Sequence, residues 1–288
     1  LFPGTSYEFN YGGEIEALPD LTLENLRDYH SSHYASSRCR IFLWGNHHLE
    51  RTLELLDRTF QETPATEVAP VSCMAPETEF NGPVRVELPY GASPDEHAHF
   101  VSMNWVLGEP DTQLKRLQFL LLEEVLLKSP SSLLKKALIE SGLGEGEFSS
   151  LIDSEPREWV FSAGLQGVPE ADIEKVAELV EQTLRRLAHE GIPLEDVEAG
   201  LNQLEFSLLE NNSESLPQGM PLLIECIKNR FYGEDPLSPL FYAEALEELK
   251  RALREDSRYL EKLIEKYLIE NDRKATIVLK PDAEIEER

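Results

Sequence analysis

Residues 120–167 read LLLEEVLLKSPSSLLKKALIESGLGEGEFSSLIDSEPREWVFSAGLQG, and the order of signals in this stretch sets the fold class. Leu117, Phe119, Leu120, Leu121, Leu122, Val125 and Leu126 are apolar on more than one side of a helix, which predicts a helix buried in a sizeable core. Lys128 to Ser132 interrupts it, and Ser131 or Ser132 is placed to cap the next helix, Leu133 to Ser141. Gly142 ends that helix, because glycine reaches the left-handed conformation without steric cost. Glu147 to Asp153 and Glu158 to Gly164 carry the β-rich runs FSSLI and WVFSAG and predict neighbouring strands.

Toward the N-terminus, Thr22 is placed to cap a helix that runs to Tyr34, with Leu23, Leu26, Tyr29, His30 and His33 along one side. Arg38 to Trp44 (RCRIFLW) predicts a strand closed by Gly45-Asn46, and His48 to Phe60 a second helix with Leu49, Leu53, Leu56 and Phe60 on one face. Residues 63–82 hold three prolines and no periodicity, the pattern of an extended linker. Strands follow at Pro83 to Pro89 and His97 to Leu107, and Asp111 opens the long buried helix.

Toward the C-terminus, Ile173, Val176, Leu179, Val180, Leu184 and Leu187 give an amphipathic helix that begins after Pro169 and stops at Gly191. Leu194 to Leu209, closed by Asn211-Asn212, then Pro217 to Phe231, Leu240 to Arg254 and Ser257 to Ile269 continue helical, and Lys274 to Leu279 closes as a strand. Strands grouped apart from helices predict an α+β fold, a mostly antiparallel sheet with helices packed on one face. The first sixty residues are half of such a layer, too small to be comfortable alone. The plan is therefore residues 1–62 as the end of a first domain, 63–82 as linker and 83–288 as a second domain. The chain reads as beginning inside a longer protein, since it opens on Leu1 with no basic-then-apolar leader.

Composition narrows the function. The 288 residues carry 54 acidic and 27 basic side chains, a net charge of −27. Such a surface repels phosphate backbones, which excludes nucleic-acid binding, and attracts cationic peptides at modest salt, although solubility alone also accounts for it. No apolar run approaches the roughly 20 residues of a membrane-spanning helix. Cys39, Cys73 and Cys226 are odd in number and far apart, which fits buried free thiols in a reducing compartment such as cytoplasm or an organelle matrix.

The candidate chemistry is sparse. His30 and His33 have the i, i+3 spacing of metal ligands but no partner acid or thiol, and read as a half-buried structural pair. His97 and His99, beside Asp95 and Glu96, read as a strand entry at the surface. His47-His48-Leu49-Glu50-Arg51 approaches the inverted zinc-protease pattern His-x-x-Glu-His, but Arg51 stands where the second ligand belongs, and a guanidinium does not bind zinc. There is no Gly-x-Ser-x-Gly, phosphate loop or Cys-x-x-Cys, and Gly142 to Gly146 precedes a strand and carries Glu145. These residues do not compose an active site.

The pieces Leu1-Phe2-Pro3, Ser6-Tyr7, Gly12-Gly13, Pro19-Asp20-Leu21-Thr22, His30-x-x-His33-Tyr34, Ser36-Ser37-x-x-Arg40 and Gly45-Asn46 resemble the later half of the catalytic domain of presequence proteases. These form a branch of the pitrilysin/insulysin superfamily of zinc metallopeptidases. SPSSLLKKALIESGLG and VFSAGLQGV are similar to the same branch, so the likeness runs over nearly the whole chain. The resemblance implies repeated α+β domains enclosing a chamber in which unfolded peptides are degraded. It implies zinc in the parent enzyme, with its ligands before Leu1 and the pair that holds the scissile carbonyl beyond Arg288; no metal is expected on this part.

The resemblance also implies that an edge strand of the second domain receives the substrate's N-terminal end by strand addition. The matching residues are Gly146, Glu147, Phe148, Ser149, Ser150 and Leu151. On the residues alone the same segment is equally a strand inside the sheet. The implied partners are unfolded, basic peptides, the remaining domains of the parent, and a second copy paired through the incomplete first domain. A superfamily member without catalysis, acting as a peptide-binding or assembly scaffold, is the alternative.

Overall fold

A computed structural model describes residues 1–9, 12, 13, 15–61, 82–93, 98–210, 216, 217 and 219–285. The predicted linker 63–82 lies outside them except for Gly82, as do Cys73, His97 and Asn211-Asn212. The chain divides into two compact units, one built on 79–214 and 224–288 and the other on 2–78 and 215–223.

The smaller unit carries helices α1 (Leu23–His33) and α2 (Leu49–Gln61). Thr22 caps α1 as its sequence predicts: Thr22 Oγ1 accepts from the Asn25 N–H at 3.1 Å, and Asn25 Oδ1 accepts from the Thr22 N–H at 2.9 Å. Neither helix buries a residue. His30 and His33 are consequently exposed rather than half-buried. Each stacks on a tyrosine one turn away, His33 on Tyr29 and His30 on Tyr34. Cys39 is likewise exposed. The strand predicted over Arg38–Trp44 does not form; Ser36–Arg38 is a 3-10 turn, and Cys39 to Trp44 is irregular. Ile41, Leu43 and Trp44 have the β-prone composition, but a strand exists only through a ladder, and no described residue of this unit offers one.

The larger unit is built around a six-stranded sheet of β1 (Val84–Gly91), β2 (His99–Gly108), β3 (Gly146–Glu147), β4 (Leu151–Asp153), β5 (Trp159–Val168) and β6 (Lys274–Asp282). Their order is β1-β6-β2-β5-β3, with β4 also on β5. Only β1 and β6 run parallel; all other pairs are antiparallel. The helices of this unit are α3 (Gln113–Glu123), α4 (Leu133–Glu140), α5 (Ile173–Glu190), α6 (Leu194–Glu210), α8 (Ala243–Glu255) and α9 (Tyr259–Ile264). The helix α7 (Gly219–Phe231) contributes its residues from Ile224 onward.

Strand alternation explains the core. Val101, Met103, Trp105 and Leu107 of β2 and Trp159, Phe161, Ala163 and Leu165 of β5 share one face and pack with the apolar sides of α3 and α5. The opposite face carries Ser102, Asn104, Ser162 and Gly164. There Asn104 Nδ2 donates to Ser102 Oγ and the Ala275 carbonyl, while Ser162 Oγ donates to Asn104 Oδ1 at 2.8 Å. The helix layer thus lies on one side of the sheet.

The joint after α3 differs from its sequence reading in one respect. The helix winds into a π turn at Glu124–Lys128 before the break at Ser129. Ser132 stands at the N-cap of α4 but makes no capping bond to it. Its Oγ instead donates to the Glu124 carbonyl at 2.8 Å and accepts from the Ser129 N–H at 3.0 Å. Ser132 therefore satisfies the carbonyl and N–H that the π turn leaves over. The helix α3 opens at Gln113, two residues beyond Asp111, with Thr112 as its cap, and Gly142 closes α4 at φ +66° as predicted.

Candidate functional site: a broken strand at the sheet edge

Gly146 to Leu151 lies along the outer side of β5, with no described strand beyond it. The predicted single strand is two short ones. Gly146 and Glu147 pair with Gln166 and Leu165, and Leu151 to Asp153 pair with Ser162 to Val160, one residue out of step. The extra residue sits at Ser149, which is held at φ +49°, the one non-glycine with positive φ among the described residues. Such a bulge bends an edge and limits how far another strand can pair along it.

The ladder fixes which backbone groups face outward. The Phe148 N–H donates to the Gly164 carbonyl at 2.9 Å, so Phe148 points its backbone at β5. By alternation the N–H and C=O of Glu147 point away from the sheet. Past the bulge the outward residue is Ile152, and its N–H is already taken by the Glu123 carboxylate at 3.0 Å. The open part of the edge is thus the short run at Gly146 to Ser149. Glu123 is the residue that sequence reading missed. Two acids inside LLLEEVLL were the available signal, because a carboxylate within a buried helix needs a donor.

Side chains around this edge are apolar on one face and charged on the other. The Phe148 ring lies 5.0 Å from Phe100, and Phe100 lies 4.9 Å from Tyr90, a row of edge-on contacts that crosses β5 at the bare Gly164. Glu147 pairs with Lys135 of α4 at 2.8 Å, and Glu145 is exposed beside it. Burial lifts the Glu123 carboxyl above its ordinary range, against the Ile152 N–H and Lys128, which pull it down. None of these groups forms a nucleophile–base pair, and the chemistry on offer is backbone hydrogen bonding next to an acidic rim.

The other sequence candidates do not assemble. His30, His33, His47 and His48 are exposed, and His99 is buried rather than at a surface entry, its Nδ1 3.3 Å from the Val168 carbonyl. Among the described residues no group of three or more His, Cys, Asp or Glu could hold a metal.

Fold and edge together define a class: an α+β domain that presents the edge of its sheet. A family profile described as the peptidase M16 inactive domain matches residues 20–204, and the chain belongs to that family. It is 36% identical over 99% of its length to presequence protease 1, chloroplastic/mitochondrial, of Arabidopsis thaliana, and spans 27% of that protein. It is 29% identical over 98% of its length to the mitochondrial presequence protease of Xenopus laevis, and spans 28% of it. The fold is that of a protease from Helicobacter pylori, whose crystal structure matches with TM-score 0.73 at 18% identity, covering 93% of this chain and 61% of that one. The chain thus spans under a third of the curated relatives named here.

Proposed function

We propose that this chain is the scaffold and substrate-contact part of a presequence-protease-like zinc endopeptidase. Residues 1–62 are the end of its first domain, 63–82 the connector and 83–288 the second, non-catalytic domain. In this reading the metal and the bond-breaking groups belong to the rest of the enzyme. What this part contributes is a place for an unfolded peptide to lie. Gly146 to Leu151 receives the peptide as an added strand, chiefly through the outward N–H and C=O of Glu147. Backbone pairing tolerates varied sequences, and the acidic balance selects basic ones.

The observation that carries this reading is the outward-facing backbone of Glu147 at an edge that no described strand covers. Glu147→Pro tests it. Proline removes an N–H that β5 does not use, so the fold stays intact while the incoming peptide loses a bond. Affinity for an unfolded basic peptide, read by fluorescence anisotropy, is expected to fall about tenfold, the worth of one to two backbone bonds. Unchanged affinity with an unchanged circular-dichroism spectrum overturns the reading.

A further inference from the structure

Away from the sheet edge, the start of α3, the turn between β4 and β5, and the end of α7 enclose a cavity of about 180 Å³. That volume holds several waters or a small organic molecule. Its charges are sorted into two poles. At the inner pole, Arg116 and Lys228 share one carboxylate: Glu225 bonds Arg116 Nη2 through Oε2, and its Oε1 lies 3.6 Å from Lys228 Nζ. The Arg116 and Lys228 side chains are 17% and 21% exposed, so the pole is sheltered. Lys228 also donates to Ser154 Oγ at 3.1 Å, and the Arg116 guanidinium lies 5.4 Å from the Trp159 ring.

At the mouth the signs reverse. Glu109 and Glu234 stand within hydrogen-bonding reach of each other, and Arg157 pairs with Glu109 at 2.9 Å. Arg157 and, from across the cavity, Arg116 both act on Glu234. Other carboxylates also act on the inner pole: Glu234 on Arg116, and Glu155 and Asp153 on Lys228. Burial pushes Arg116 down to about 10, burial and then Arg116 push Lys228 down, and burial together with Glu109 pushes Glu234 up. A network serving only to staple α3 to α7 would close the space between its charges; here the space is open.

We propose that this cavity binds a small zwitterion of the α-amino-acid or short-peptide class. Its carboxylate meets Arg116 and Lys228 at the inner pole, and its ammonium meets Glu109 and Glu234 at the mouth. The site is independent of the sheet edge and of peptide addition to it.

The test uses the full chain and three probes: free leucine, N-acetylleucine, which lacks the ammonium, and leucinamide, which lacks the carboxylate. Calorimetry is expected to show leucine binding, with each blocked probe weaker by about tenfold or more, the loss of one charge-assisted interaction. Glu234→Gln, at the exposed mouth where folding is not at stake, is expected to weaken leucine while leaving N-acetylleucine unchanged. Equal binding of all three probes, no leucine binding at about 10 mM, or a Glu234→Gln variant that binds leucine as the wild type does, each overturns the proposal.

Discussion

Glu123 Oε1 accepts the Ile152 N–H at 3.0 Å, so the last turn of the buried helix α3 closes the outward backbone of the edge strand β4. One side chain thereby does two things: it ties the helix layer to the sheet and ends the stretch of edge open to another chain. Glu123→Ala leaves a largely buried N–H without an acceptor and is expected to cost about 1–3 kcal/mol. Glu123→Gln keeps an acceptor oxygen in place.

The pH dependence separates those variants. Burial raises the folded-state value of the Glu123 carboxyl, so the folded chain binds the proton more tightly than the unfolded chain does. This contribution to stability is complete below the unfolded value near 4.5 and is lost as pH rises through the higher folded one. The wild type minus Glu123→Gln difference in urea midpoint is therefore expected to move against the wild type over that window. A difference that is flat with pH shows that the carboxyl is not held above its ordinary range.

Gly164 and Gly142 are glycines for different reasons, and alanine at each should show it. A Cβ on Gly164 would lie 2.1 Å from the Val101 carbonyl oxygen and 2.7 Å from the Ser102 Cα, so β2 and β5 would have to part. At Gly142 there is open space, and only φ +66° resists a side chain. Gly164→Ala is expected to cost about 3 kcal/mol or more, and Gly142→Ala about 1 kcal/mol. Guanidinium unfolding midpoints check the order; equal losses would mean that the two central strands separate freely.

These positions show where the sequence was readable. Gly142 announced itself, because a glycine after an apolar helix has one common use. The strands of the larger unit were visible through β-branched and aromatic runs, and α5 through its 3.6-residue period. Glu123, Arg116 and Glu225 were not, since their partners lie far along the chain and no local pattern encodes a tertiary ion pair. The same limit explains Arg38 to Trp44, where composition favours a strand but a ladder partner decides. The bulge at Ser149 was hidden too: a serine in FSSLI gives no warning of positive φ.

The acidic surface makes a salt-sensitive prediction for the proposed peptide site. With a net charge of −27 and Glu145 and Glu147 at the rim, long-range attraction contributes to capture of basic peptides. Screening shortens from about 10 Å at 0.1 M salt to about 3 Å at 1 M. Affinity for a basic peptide is expected to fall steadily over that range, and affinity for a neutral peptide of the same length to stay nearly level. Parallel curves for the two peptides would remove charge from the account of substrate choice.

The π turn after α3 offers the most local test. Gly200 of α6 faces it so closely that a Cβ there would lie 2.6 Å from Val125 Cγ2. Valine has little rotameric freedom to retreat. Gly200→Ala is therefore expected to cost about 2 kcal/mol by overpacking, and Val125→Ala about 2 kcal/mol through lost burial. In the double variant the new methyl enters the space that the valine vacated, so the losses should fall short of their sum by about 1 kcal/mol. Urea midpoints of the four proteins measure that coupling. Strict additivity would mean that α6 moves away bodily, and that the π turn does not hold it in register.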